Sequence, residues 1–271
     1  MIVFRRRDLL GLAGVGAASA LLQARASASA RKHPRWRADG TGLPRLGLIV
    51  GDFDWNPEIE IAVLNQGHAN VFASRMAISS FQGLSDLAHA DAAADLLRRL
   101  DLRTILYTGT STSYVFGLEK EKQFKDRLES RTNKPVVIPA MALAEAAKTL
   151  GVRRIALVHP PWFTEETNEL GRAYFLARGF DVVSARPITP RRTLSELSAE
   201  EVYRWVVANT PPQAQAIVQG GGGLRMIGAI EALERSLGRP VITANQATFW
   251  QGLKLAGARV RIPGYGRLLA S

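Results

Sequence analysis

Thr104-Ile105-Leu106-Tyr107-Thr108-Gly109-Thr110-Ser111-Thr112-Ser113 decides how this chain folds. An apolar run runs into a glycine turn and then into a segment that can open a helix, the order of a βα unit. The same order recurs at Ala216-Ile217-Val218-Gln219-Gly220-Gly221-Gly222-Gly223. A glycine-rich turn at a helix start exposes backbone N–H groups that favour an anion. Two such turns point to a cleft gripping a carboxylate or phosphate from both sides. The alternative is that the glycines serve only tight turns.

Working outward, short apolar runs alternate with amphipathic stretches from Leu46 onward, as in a parallel sheet with crossover helices. Strands are expected at Leu46–Val50, Asn70–Ser74, Thr104–Thr108 and Pro135–Pro139. Helices are expected at Leu84–Leu100, with Leu87, Ala90, Ala94 and Leu97 on one face, and at Val115–Arg131. The alternation then restarts. Met141–Leu150 is a helix stopped by Gly151, a residue suited to a helix C-terminus. Arg154–His159, Phe180–Ala185, Ala216–Val218 and Val241–Thr243 are strands; Glu165–Arg178, Ala199–Asn209, Leu224–Leu237 and Phe249–Ala256 are helices. The expectation is an α/β protein of two Rossmann-like lobes with parallel sheets related by pseudo-two-fold symmetry. The first lobe takes residues 45–140 plus 245–271, the second 141–244. Ligands of open parallel sheets sit beyond the carboxyl ends of the strands, so the cleft lies between the lobes.

Residues 1–30 read as an export segment. Arg5-Arg6-Arg7 supplies a positive start, Leu9–Leu22 a small apolar stretch, and Ala28-Ser29-Ala30 a small-x-small cleavage site. Arg6-Arg7-x-Leu9-Leu10 resembles the twin-arginine signal, which makes the twin-arginine export machinery a partner and the periplasm or exterior the destination. Residues 31–44 form a basic flexible tail. The formal charge is +11. Four arginines against one aspartate in residues 1–30 account for +3 of it, leaving +8 on the mature chain. No helix-turn-helix, zinc-finger or aromatic-basic pattern appears, so nucleic acid is not a partner. A basic surface draws small acidic ligands instead. There is no cysteine, so an exported chain of this size stands on its core without disulfides.

Six pieces in order carry a resemblance over roughly residues 46–268: Gly109-Thr-Ser-x-Ser, Leu150-Gly-Val-Arg-Arg-Ile-Ala-Leu, Gly222-Gly223-Leu224, Leu237-Gly-x-Pro-Val-Ile, Phe249-Trp250 and Pro263-Gly264-Tyr265-Gly266-Arg267-Leu268. The chain resembles the aspartate/glutamate racemase superfamily, in its arylmalonate decarboxylase and maleate isomerase branch; Ser74-Arg75-Met76 is nearer the isomerase side. The resemblance implies two α/β lobes, no metal and no organic cofactor. It also implies cysteines that move protons, one per lobe in the racemases and one, in the second turn, in the decarboxylase. Those positions correspond to Gly109 and Gly221 here, and both lack a thiol. A positioned acid or base is worth about 10²–10⁴ in rate, so thiol-dependent racemisation is excluded unless another side chain substitutes.

What the resemblance carries over is an anion grip: Thr110 and Ser111 at the first turn, Gly221 and the backbone of Gly222 at the second. Phe163 stands where the family places a tyrosine hydroxyl. Arg75 is expected either to meet a ligand carboxylate or to form a structural ion pair. Asp54, in the loop after the first strand, would repel a dicarboxylate unless protonated or paired. His159, at a strand's carboxyl end, is the candidate for proton transfer, or else a histidine capping its strand. His68 and His89 read as surface residues, and Tyr265 as packing the tail against the first lobe. Three functions follow: a lyase or isomerase on a malonate or small dicarboxylate, a periplasmic protein that binds a small carboxylate without catalysis, or a phosphate binder. Neither turn ends in the Lys-Ser/Thr of a P-loop, which ranks phosphate last.

Overall fold

The computed structural model describes residues 40–78, 83, 86–189 and 197–270. The export segment of residues 1–30 and all of the basic tail before Gly40 lie outside these residues. From Gly42 onward the chain forms one compact unit.

Its frame is two four-stranded parallel sheets. The first contains β1 (Arg45–Gly51), β2 (Asn70–Met76), β3 (Thr104–Tyr107) and β4 (Val136–Val137), in the order β2-β1-β3-β4. The second contains β5 (Arg154–His159), β6 (Asp181–Pro187), β7 (Ala216–Gln219) and β8 (Val241–Thr243), in the order β6-β5-β7-β8. The second order repeats the first. In each sheet the chain leaves the first strand one way and returns on its other side, so the order reverses between β1 and β3 and again between β5 and β7. Open sheets bind ligands at such reversals. Both glycine turns and the loops after β1 and β5 stand there.

Helices α1 (Asn56–Asn65), α2 (Leu87–Leu97) and α3 (Thr110–Thr132) accompany the first sheet, and α4 (Pro139–Thr149), which follows β4, packs against β8 of the second. Helices α5 (Glu165–Ala177), α6 (Ala199–Asn209) and α7 (Ile230–Leu237) accompany the second, and α8 (Ala244–Leu255) and α9 (Arg267–Ala270) end the chain. Successive strand residues point to opposite faces, and the core follows this rule. Ile49, Ile105 and Tyr107 face α2 and α3 with Ala90, Ala94 and Leu128, while Leu46, Leu48 and Leu106 join a larger core that runs through both lobes. A buried ionic contact also links the lobes: Tyr174 Oη of α5 donates to Glu121 Oε1 of α3 at 2.7 Å, and Arg178 pairs with the same carboxylate.

Several expectations change, among them the helix expected from Phe249, which begins at Ala244. The helix after the first turn begins at Thr110, not Val115, and carries a break at Gly117, where φ is 66°. The second turn does not open a helix directly: a single 3₁₀ turn, Ile227–Ala229, precedes α7. Residues 56–65, left without an element by the sequence pattern, form α1 with Pro57 in its first turn. The C-terminal turn is tied to the second lobe as well as to α8. Arg267 N donates to Glu234 Oε2 of α7 at 3.0 Å, while the Tyr265 carbonyl accepts from Gln246 Nε2.

Candidate functional site

The second glycine turn is held by its carbonyls. Gln219 Nε2 donates to the Gly220 carbonyl at 3.1 Å and to the Gly221 carbonyl at 2.6 Å. Asn56 Nδ2, from the start of α1, donates to the Gly222 carbonyl at 2.7 Å, and Asn245 Nδ2 of α8 donates to it at 2.8 Å. Three consecutive carbonyls are therefore fixed by side-chain amides. The backbone N–H groups of Gly221, Gly222 and Gly223 donate to no acceptor among the described residues. All three glycines are buried. A buried N–H without an acceptor is rare and costs about 1–3 kcal/mol. Successive N–H groups of this kind form an anion-binding concavity. The sequence attributed the turn's affinity to a helix start. In the structure the turn is fixed by side-chain amides instead, and the donors at the true helix entrance are already taken: Glu60 Oε1 of α1 accepts from Met226 N at 2.9 Å and Ile227 N at 3.2 Å.

Glu60 also accepts from Asn245 Nδ2 at 2.7 Å through its other oxygen. Burial pushes its carboxyl up to about 7, against the pull of these donors. Asn56, Glu60, Asn245 and Gln219 were not anticipated. The available signal was the spacing of Asn56, Glu60 and Leu64, which puts two polar groups on the buried stripe of a helix.

At the first turn, Gly109 leads straight into α3, and the N–H of Thr110, the first residue of the helix, is taken by the Thr108 carbonyl at 3.1 Å. Thr110 Oγ1 is buried and meets no partner among the described residues, and Ser111 is buried beside it. The two turns approach each other through Tyr114, one helical turn beyond Thr110. A Cβ on Gly220 would collide with its hydroxyl. The loop after β1 closes a third side, with Asp54 Oδ2 3.4 Å from where a Cβ on Gly223 would stand and Trp162 on the same glycine.

Both positions matched to the family's cysteines are closed to a thiol in this fold. A Cβ on Gly109 would lie 2.7 Å from Tyr107 Oη and 2.8 Å from Thr112 Oγ1. Gly221 has φ of 92°, and a Cβ there would lie 2.5 Å from the Pro160 ring. Phe163 borders the same turn and stacks on His159, with ring centroids 5.3 Å apart.

His159 has no exposed surface. Its Nδ1 meets Asn168 Oδ1 at 2.8 Å, and Asn168 Nδ2 is spent on the Ala185 carbonyl. The proton therefore sits on Nδ1, and Nε2 accepts from Tyr114 Oη at 3.3 Å. With both nitrogens engaged, His159 is a packing residue in this arrangement rather than one open to a ligand. Burial lowers its pKa from 6.5 to about 4. Between those values the unfolded chain holds a proton that the folded chain lacks, so this group's stability is present above pH 6.5 and lost as pH falls. Replacement by Gln is expected to destabilise the protein at pH 7. That penalty should shrink by about 1.4 kcal/mol per unit between pH 6.5 and 4, as read by urea unfolding of both proteins across this range.

Arg75 adopts the structural alternative. It pairs with Glu58 of α1 and donates to the Gly51 and Asp52 carbonyls at 3.2 and 3.1 Å, so it braces the loop that carries Asp54. His68 and His89 are both half-buried, away from the turns, and His89 faces Asp86.

A family model described as arylmalonate decarboxylase matches residues 62–269. The arylmalonate decarboxylase of Bordetella bronchiseptica is 27% identical over 186 residues, covering 66% of this chain and 77% of that protein. The maleate isomerase of Pseudomonas putida is 28% identical over 249 residues, covering 85% of this chain and 98% of that protein. A solved glycine-to-cysteine mutant of arylmalonate decarboxylase, in a sulfate-associated form, superposes with a TM-score of 0.75 at 25% identity, covering 84% of this chain and all of that one. The maleate isomerase structure from Pseudomonas putida S16 shares the fold with a TM-score of 0.78 at 23% identity, over 84% of this chain and 99% of that one.

Proposed function

The chain belongs to the arylmalonate decarboxylase family, and from that premise we propose that it is a cofactor-independent lyase or isomerase acting on a malonate or small dicarboxylate held between its lobes. The observation that carries this reading is the second turn, where the Gly220–Gly222 carbonyls are pinned by side-chain amides while the N–H groups of Gly221–Gly223 have no acceptor among the described residues. An arrangement of buried donors without acceptors is completed by an anionic oxygen. Thr110 Oγ1, buried and also without a partner among the described residues, supplies a hydroxyl from the opposite lobe. A solved arylmalonate decarboxylase mutant of this family is described in a sulfate-associated form, so a relative of this fold takes up an oxyanion.

A second reading has its own observation. Both thiol positions are glycines that the surrounding atoms close, and His159 has no free nitrogen. That favours a carboxylate-binding protein without turnover. In either case we place the protein outside the cytoplasm, on the strength of the twin-arginine-type segment in residues 1–30.

Proton NMR of the full chain in D₂O, with aryl- and alkylmalonates and maleate, separates the two. Carbon dioxide loss, isomerisation or deuterium entry at the α-carbon is the expected result. Ligand-shifted resonances without turnover would leave binding alone, and no shift with any of these acids would overturn both readings. Thr110→Val, which keeps the shape and removes the hydroxyl, is expected to weaken malonate binding about tenfold, the value of one hydrogen bond to a charged group.

A further inference from the structure

Resting on the lyase reading above, we propose that Asp54 carries the proton in this cleft and delivers it to the carbon left behind when a malonate loses carbon dioxide. Glu60 is spent on three donors, and Arg75 on Glu58 and two carbonyls. Tyr107 Oη is bonded to Thr112, and His159 is closed between Asn168 and Tyr114. Asp54 differs. Its Oδ1 accepts the Asn56 N–H at 3.2 Å, while no donor among the described residues is bonded to Oδ2, which lies against Gly223 of the anion-binding turn. It is half-buried, open enough to touch a ligand and dry enough to hold a proton.

The charged groups facing Asp54 are Arg75 from the end of β2 and Glu58 from α1, which pair with each other. Of the neighbours from the second lobe, Gly223 and Trp162 carry no charge, and Arg225 lies over the ring of Trp55, next in sequence to Asp54. Burial dominates over this pair and lifts the carboxyl from 3.8 to about 6. A protonated Asp54 also removes the repulsion that a carboxylate here would exert on a doubly charged malonate.

The step balances as follows. The bond between the α-carbon and one carboxylate breaks, carbon dioxide leaves, and the electron pair remains as an enediolate on the retained carboxyl. The N–H groups of the second turn hold that charge. The Asp54 proton then forms the new C–H bond, leaving Asp54 as carboxylate, and water returns the proton.

Turnover and binding of phenylmalonate and methylmalonate by the wild type, Asp54→Asn and Asp54→Glu test this. Asp54→Asn is expected to lose about 100-fold or more in kcat while malonate affinity changes by less than about threefold, and Asp54→Glu to recover part of the loss. The wild-type kcat should fall as pH rises through about 6, where the acid is lost. That limb is read without any variant, so a poorly folding Asp54→Asn does not remove the test. Turnover by Asp54→Asn near the wild-type rate, or a flat profile from pH 5 to 8, overturns the role of Asp54 and leaves the lyase reading standing. Malonate binding without turnover in the wild type overturns Asp54 and leaves the carboxylate-binding reading. Failure of the wild type to bind malonates overturns the underlying reading itself.

Discussion

Replacing Glu60 by alanine is expected to destabilise the protein by about 3 kcal/mol or more and to abolish carboxylate binding. The carboxylate accepts from Met226 N, Ile227 N and Asn245 Nδ2, and only 3% of the residue is exposed. Removing it strands three buried donors, each worth about 1–3 kcal/mol when unpaired. It also frees Asn245, one of the two amides fixing the Gly222 carbonyl, so the turn loses its orientation together with its anchor. The loss has a pH signature. Glu60 is raised from 4.5 to about 7 by burial, so between these values the folded chain keeps a proton that the unfolded chain has released. Stability from this group is full below pH 4.5 and drains as pH rises to 7. Glu60→Ala should therefore cost more at pH 5 than at pH 7.5. Urea unfolding at both values, with malonate titration at pH 7.5, reads both effects; an unchanged unfolding midpoint would remove Glu60 from the account.

Restoring the thiol at the second turn is expected to harm the protein rather than revive it. Gly221→Cys places a side chain at φ of 92° and a Cβ 2.5 Å from the Pro160 ring. A left-handed non-glycine residue costs about 1–3 kcal/mol and overpacking about 1–3 more, so a loss near 3 kcal/mol is expected. The Pro160 ring is rigid and cannot swing aside as a long side chain would. The same displacement would shift the Gly221 N–H that the turn offers to an anion. Gly221→Cys should therefore unfold at lower urea than the wild type and bind malonate more weakly. Adding Pro160→Ala should return part of the stability, since it removes the collision but not the strained backbone. A single variant as stable as the wild type, with new thiol-dependent exchange of an α-proton, would show that the turn still accepts the family's chemistry.

The two halves, their parallel sheets and the glycine turns at the strand ends were all legible in the residue order. Strand runs such as Thr104–Tyr107 and Ala216–Gln219, and the amphipathic spacing of Leu87, Ala90, Ala94 and Leu97, are local patterns whose meaning depends on near neighbours. The boundaries that shifted have local causes of a different kind. Thr110–Ser113 is rich in hydroxyls that read as loop but pack into the first turn of α3, and Asn56–Asn65 hides a buried polar stripe inside an unpromising composition. The function of the second turn was legible only as glycine. Its working form depends on Asn56, Gln219 and Asn245, and its anchor on Glu60, at sequence separations as large as 185 residues.

The order of residues by itself determined that this chain folds as two α/β lobes with glycine turns at the carboxyl ends of their strands, and that it has no thiol to work with. The tertiary structure alone decided which groups remain free at that place. His159 looked available and is spent on Asn168 and Tyr114, Arg75 is spent on Glu58, and Asp54 keeps an oxygen beside Gly223. The physical reason is that strand and turn propensities are set by short-range sterics, whereas the availability of a polar group is set by which distant partner reaches it first once water has been expelled.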